Sequence, residues 1–121
     1  MPHRVAVIRD AAERADQSRA VIGTDLSGTV VYWNAEAERL YGWPSAEAMG
    51  RDILELTPTM MSKNEAGDIM RTLLEGKPWT GPFMVRDRSG HPMIVHVEDL
   101  PVIDDDIVIG IVGISRLTSV V

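Results

Sequence analysis

Cysteine is absent from the 121 residues, which excludes disulfides, thiolate metal sites and any covalent thiol adduct to a bound chromophore. No apolar run approaches the roughly 20 residues that span a bilayer, and the N-terminus lacks the charged-then-apolar pattern of a signal peptide. Basic runs are missing too: 12 Lys and Arg are scattered among 18 Asp and Glu, for a formal charge of −6. A nucleic-acid backbone would meet net repulsion with no basic stripe to offset it, so nucleic-acid binding is not expected. These absences point to a soluble, cytoplasmic protein with no membrane partner. A hydrophobic content of 45% over this length supports one core and no second domain.

What is present organises around Asn34. Val21–Thr24 and Thr29–Trp33 are short β-branched and aromatic runs, joined by Asp25-Leu26-Ser27-Gly28, a turn in which Gly28 is free to take positive φ. Asn34 then precedes Ala35–Tyr41 as a helix cap, with Glu36 and Glu38 in the first turn and Gly42 beyond the end. Two more helical pieces follow, one opened by Pro44-Ser45 with Ser45 as cap and closed by Gly50, one opened by Asp52 and cut short before Pro58. Ser62-Lys63-Asn64-Glu65 is a capping box for a longer helix whose Ala66, Ile69, Met70, Leu73 and Leu74 share a face until Gly76-Lys77-Pro78.

Upstream, Arg4–Ser18 places Val5, Ile8, Ala12 and Ala15 at helical spacing. This narrow stripe suits either a lid on the chain's own sheet or pairing with a second copy. Downstream, three strands are expected: Trp79–Asp87, Pro92–Leu100 and Ile107–Ser115, with Arg88–His91 and Asp104–Asp106 as turns. In the second of these, Met93, Val95 and Val97 alternate against Ile94, His96 and Glu98, so the apolar set should look inward.

The order strand, strand, small helices, longer helix and three strands, with Gly23-Thr24-Asp25, Asn34-Ala35-Ala37, Leu40-Tyr41-Gly42-Trp43, Trp79-Thr80-Gly81, Arg86-Asp87-Arg88-Ser89-Gly90 and Gly110-Ile111-Val112-Gly113 in sequence, resembles a PAS domain of bacterial signalling proteins. The resemblance covers about residues 18–116. It implies an α+β fold: a five-stranded antiparallel sheet whose concave face carries the small helices and the longer helix, preceded here by the amphipathic helix. The expected organisation is residues 1–19 as a capping or dimerisation helix, 20–118 as the PAS domain and 119–121 as a tail. It also implies a non-catalytic sensory or regulatory role, a possible homodimer, and an output domain such as a kinase, cyclase or phosphatase in the same chain or a partner. The chain then reads as a stand-alone module or a segment of a larger signalling protein. One departure stands out: family members that drive such outputs end the last strand with Asp-x-Thr, whereas Ser115-Arg116-Leu117-Thr118 keeps the Thr and lacks the Asp.

The resemblance also directs attention to the concave pocket. Candidate lining residues are Met60, Met61, Ile69, Met70, Leu73, Met84, Met93, Val95, Val97 and Ile111, a flexible methionine-rich set suited to a small apolar ligand, though methionines equally fill gaps in a core. Trp33 and Trp79 are candidates for stacking on a ligand. Candidate dimer-surface residues are Val5, Ile8, Ala12, Ala15, Ile94 and Leu100, the working surface if the domain is instead a ligand-free interaction module. The expectation is that no cofactor is held. Haem-binding relatives ligate iron through a His on the long helix, and Ser62–Leu74 has none; His3, His91 and His96 fall at the terminus, in a turn and beside Glu98. Flavin photochemistry through a Cys adduct is unavailable, which leaves redox flavin as the lesser alternative. No nucleophile–base or metal-ligand spacing suggests an enzyme, and Asp104–Asp106 reads as a solvated turn.

Overall fold

The computed structural model describes residues 2–121. Five helices, α1 (Pro2–Glu13), α2 (Ala35–Tyr41), α3 (Ser45–Ala48), α4 (Ile53–Leu56) and α5 (Lys63–Leu74), accompany five strands, β1 (Ala20–Asp25), β2 (Val30–Trp33), β3 (Trp79–Arg86), β4 (Pro92–Asp104) and β5 (Ile107–Val120). The strands form one antiparallel sheet in the order β2-β1-β5-β4-β3. The last strand is therefore central, and its neighbours come from opposite ends of the chain.

Local chemistry accounts for most of the boundaries. The Asn34 side chain accepts from the Ala37 amide at 2.9 Å and from the Val21 amide at 2.9 Å, while its Nδ2 donates to the Arg19 carbonyl. One residue thus caps α2 and ties the helix to the start of β1. Asp52 and Ser62 cap α4 and α5 through the Leu54 and Glu65 amides. Ser45 is not a cap; it lies inside α3, where its amide donates to Glu38 at 2.6 Å, and Pro44 takes the cap position. The first helix stops at Glu13 and does not continue to Ser18. Gln17 turns back to donate to the carbonyls of Ala12 and Ala15, and Asp16 accepts from Ser18, so side chains take over the helix end.

Strands β4 and β5 run past the expected ends at Leu100 and Ser115. They form one long hairpin closed at Asp105-Asp106, both with positive φ (52° and 62°), as a two-residue turn requires. Pro101 pairs with Ile111 without ending the strand, and the ladder slips at Val102/Ile103. Pairing reaches Val120 opposite Met93, so residues 119 and 120 belong to the sheet.

Each face of the sheet carries its own core. On the concave side Val30, Trp33, Ala37, Tyr41, Ala48, Leu56, Val85 and Val95 pack with α2, α3 and α4. On the convex side α1 lies on its own sheet, with Ile8 and Ala12 fully buried against Val21, Val31, Val102, Ile109 and Val112. Glycine makes this seat: a Cβ on Gly110 would come within 2.5 Å of Ile8 Cδ1, and one on Gly23 within 3.2 Å of Ile8 Cγ2. Val5 and Ala15 pack at the edge of the same cluster. All four residues of the helical stripe are thus engaged by the chain's own sheet, and Ile8 and Ala12 offer no surface to a second copy. Helix α5 packs by its C-terminal half, with Leu73 buried; Ala66 and Leu74, expected on its apolar face, are exposed.

Candidate functional site

Between the concave face and the small helices lies a cavity of about 210 Å³. Ile22 and Thr24 enter it from β1, Tyr41 from α2, Ile53 and Leu54 from α4, Phe83 and Val85 from β3, Val95, Val97 and Asp99 from β4, and Ile111, Gly113 and Ser115 from β5. Thr57 and Thr59 complete the wall.

Of the residues expected to line a pocket, Val95, Val97 and Ile111 do so. Met93 and Leu73 are buried outside the lining, Met61, Ile69 and Met70 are half-buried outside it, and Met60 and Met84 are exposed. The backbone explains the methionines. Residues 57–61 run along the free edge of β3, where Thr59 bridges Val85 and the Met60 amide donates to the Met84 carbonyl. Thr57 and Thr59 therefore point inward and Met60 outward. Trp33 and Trp79 do not reach the cavity. Trp33 is buried and donates to the Trp43 carbonyl, and Trp79 tilts against Phe83 with ring centroids 5.2 Å apart. Ile94 and Leu100 lie half-buried on the convex face, beside His96 and Glu98.

Beside its threonines, the site has two polar features. The hydroxyls of Tyr41 and Ser115 bond each other at 2.8 Å, joining α2 to β5. Burial pushes the Tyr41 phenol up to about 12, so it stays protonated. Asp99 stands opposite Trp79 on β3 and Gly113 on β5, near the middle of the sheet. Burial pushes its carboxyl up to about 7, with no opposing charge or hydrogen bond to hold it down. Asp99 is not among the expected lining residues, although the alternation that turns Met93, Val95 and Val97 inward carries Asp99 with them.

The lining offers little to hold the redox groups. Of the haem ligands in common use it offers only the Tyr41 phenol, unionised and already bonded to Ser115. A single benzene ring occupies a cavity of about 150 Å³, so a cavity of about 210 Å³ would enclose only part of a flavin's three fused rings and side chain. Among the described residues no cluster of His, Asp and Glu is arranged to hold a metal ion.

A family model described as the PAS fold matches residues 11–116. The chain belongs to the PAS family. Solved PAS structures share its architecture: the PAS domain of a protein from Colwellia psychrerythraea superimposes with a TM-score of 0.77 at 24% identity, covering 92% of this chain and 94% of that one. An RNA-binding light-oxygen-voltage receptor matches with a TM-score of 0.76 at 24% identity over 94% of this chain, which is 33% of the receptor. The LOV domain of a blue-light-activated histidine kinase from Erythrobacter litoralis matches at 0.71 and 16% identity, covering 84% of this chain and 96% of that domain. At these identities the likeness is one of fold. PAS domains are in general sensory modules without catalysis of their own, and the PAS fold here has its concave face, helices and central β5 in place. No helix among the described residues is long and apolar enough to cross a membrane.

Proposed function

We propose that this PAS domain is a non-catalytic sensory module that takes a small, mainly apolar molecule into the concave cavity and relays its presence to an output domain. The observation that carries this reading is the cavity itself: about 210 Å³ of space walled mostly by Ile, Leu, Val and Phe side chains, where a ligand-free core would close to native packing density. A flavin or haem is not part of the proposal, for the reasons of size and ligation given above.

The relay rests on the Tyr41–Ser115 hydrogen bond. It joins the helical wall of the cavity to β5 immediately before Arg116–Val120, the last residues of the strand, which pair with β4. A ligand that fits one spacing of α2 against β5 better than another shifts their balance by that difference in affinity, and one that fits both equally shifts nothing. The blue-light-activated histidine kinase supports a catalytic output domain as the receiver. Arg116 stands exposed where the family resemblance leads one to expect an Asp.

Native mass spectrometry of the purified protein tests the reading. A bound small molecule should be seen in the wild type and lost in Ile111→Trp, whose indole fills the cavity. A wild type that is empty, and that is not stabilised thermally by small aromatic or aliphatic compounds, would overturn it.

A further inference from the structure

We propose that the ligand carries one cationic nitrogen, a protonated amine on a compact apolar body, and that the Asp99 carboxylate is its ion-pair partner. The inference rests on the cavity being a ligand site and names the class of ligand.

Asp99 sits in β4 between two paired strands, with its carboxyl turned into the cavity; Oδ1 lies where a Cβ on Gly113 would be only 2.9 Å away. Glycine at 113 therefore makes room for the carboxylate on a face otherwise filled by larger side chains. Among the described residues nothing donates to it and no cation approaches it. Of the hydroxyls in the wall, Tyr41 and Ser115 bond each other, Thr57 donates to the Ile53 carbonyl at 3.1 Å and Thr59 toward the Met84 carbonyl at 3.4 Å, and that of Thr24 makes no bond to Asp99. Asp99 is half-buried, so its carboxylate keeps part of its hydration, and what it has lost is not replaced by any partner among the described residues. A ligand that brings an N–H⁺ group replaces it with a charge-assisted hydrogen bond in a low-dielectric space.

The sign of the ligand follows from the surroundings. No Lys, Arg or His lines the cavity, so an anion finds no counter-charge there. Of the side chains that α2, α4, β1, β3 and β5 turn toward it, only the Tyr41 phenol titrates, and it stays protonated. Asp99 is then the one negative charge available, and the net charge of −6 favours the approach of cations. Size sets the rest: scaled from benzene in about 150 Å³, the occupant has on the order of eight to ten non-hydrogen atoms.

Benzylamine, benzyl alcohol and toluene separate charge from shape. Calorimetric titration of the wild type at pH 8 should show benzylamine bound at least tenfold more tightly than the two neutral probes. Benzylamine stays protonated at pH 6, while Asp99, titrating near 7, becomes mostly neutral, so its affinity should fall about tenfold. Asp99→Asn, isosteric and relieved of the buried charge, should fold and lose the preference for the amine. Neutral probes that bind as tightly as benzylamine, or an Asp99→Asn variant that keeps the preference, would overturn the ion pair while leaving the cavity reading intact. Benzyl alcohol that binds more weakly as pH rises, and equally well in Asp99→Asn, would assign Asp99 as a hydrogen-bond donor to a neutral ligand and overturn the cationic one. Absence of binding by all three probes would overturn both readings.

Discussion

At the scale of single residues, Tyr41, Ser115, Thr57 and Thr59 in the cavity wall are hydrogen-bonded within the chain, whereas Asp99 has no partner among the described residues. Its carboxyl ordinarily titrates near 3.8 and is pushed up to about 7. The folded state therefore holds a proton that the unfolded chain releases, and stability falls as pH rises from about 4 through 7. Asp99→Asn removes that dependence. The variant should match the wild type near pH 4 and exceed it at pH 8 by up to on the order of 4 kcal/mol, read from urea unfolding at the two pH values. The Tyr41–Ser115 pair behaves oppositely. Tyr41→Phe leaves a buried Ser115 hydroxyl without its partner and should cost about 1–3 kcal/mol, whereas adding Ser115→Ala should recover part of the loss in a double-mutant cycle. Trp43 is a third fixed point. The guanidinium groups of Arg51 and Arg88 lie 4.9 and 4.6 Å from its ring centroid, and its Nε1 donates to the Leu56 carbonyl, so α3, α4 and the β3–β4 turn meet at one indole.

At the scale of elements, α1 shows how a weak amphipathic helix finds its place. Its stripe of Val, Ile and Ala is too narrow to hold on its own, and burying Ile8 contributes only about 1.5–3 kcal/mol. What locates it is the flat strip over Gly23 and Gly110. A methyl at Gly110 would also stand 2.6 Å from the Thr24 carbonyl oxygen. Gly110→Ala should therefore cost about 1–3 kcal/mol through overpacking. Hydrogen exchange should show the loss first as weaker protection across residues 3–13. Equal loss of protection in β4 would mean that α1 is not a separately released element. Helix α5 is seated by Leu73 alone at full burial, its first turns being solvent-facing, which makes its N-terminal half a tolerant site for substitution.

At the scale of the whole molecule, the topology brings the two chain ends together on β1 and β5 and leaves β2 and β3 as edges. The edge at β3 is blunted by Pro82, which cannot donate to an added strand, and by the segment carrying Thr59. Beyond α1 the convex face has Met84 directly paired with Ile94, beside Pro82 and His96. This is the surface we propose for a second copy of the domain, now that the α1 stripe is engaged internally. If the domain is dimeric in light scattering, Ile94→Glu should shift it toward monomer by placing a charge in an apolar contact, while the cavity and its ligand are unaffected. An unchanged dimer would place the contact elsewhere.

The hairpin, the three small helices and the capped long helix were legible from local signals alone, because Asn34, Asp52 and Ser62 satisfy helix ends within three residues of themselves. Alternation along β4 and the ordered motifs were enough to point to the PAS fold. Tertiary structure decided what those signals do not encode. Whether a stripe such as that of α1 meets its own sheet or another copy depends on which distant glycines lie beneath it, and Gly23 and Gly110 are far apart in the chain. Which side chains wall the cavity depends on where the segment before α5 joins β3, which turns two threonines inward and a methionine outward. The inward phase of Asp99 was written in the strand period, but its lack of a partner was not. A charge is unpaired only relative to everything folded around it.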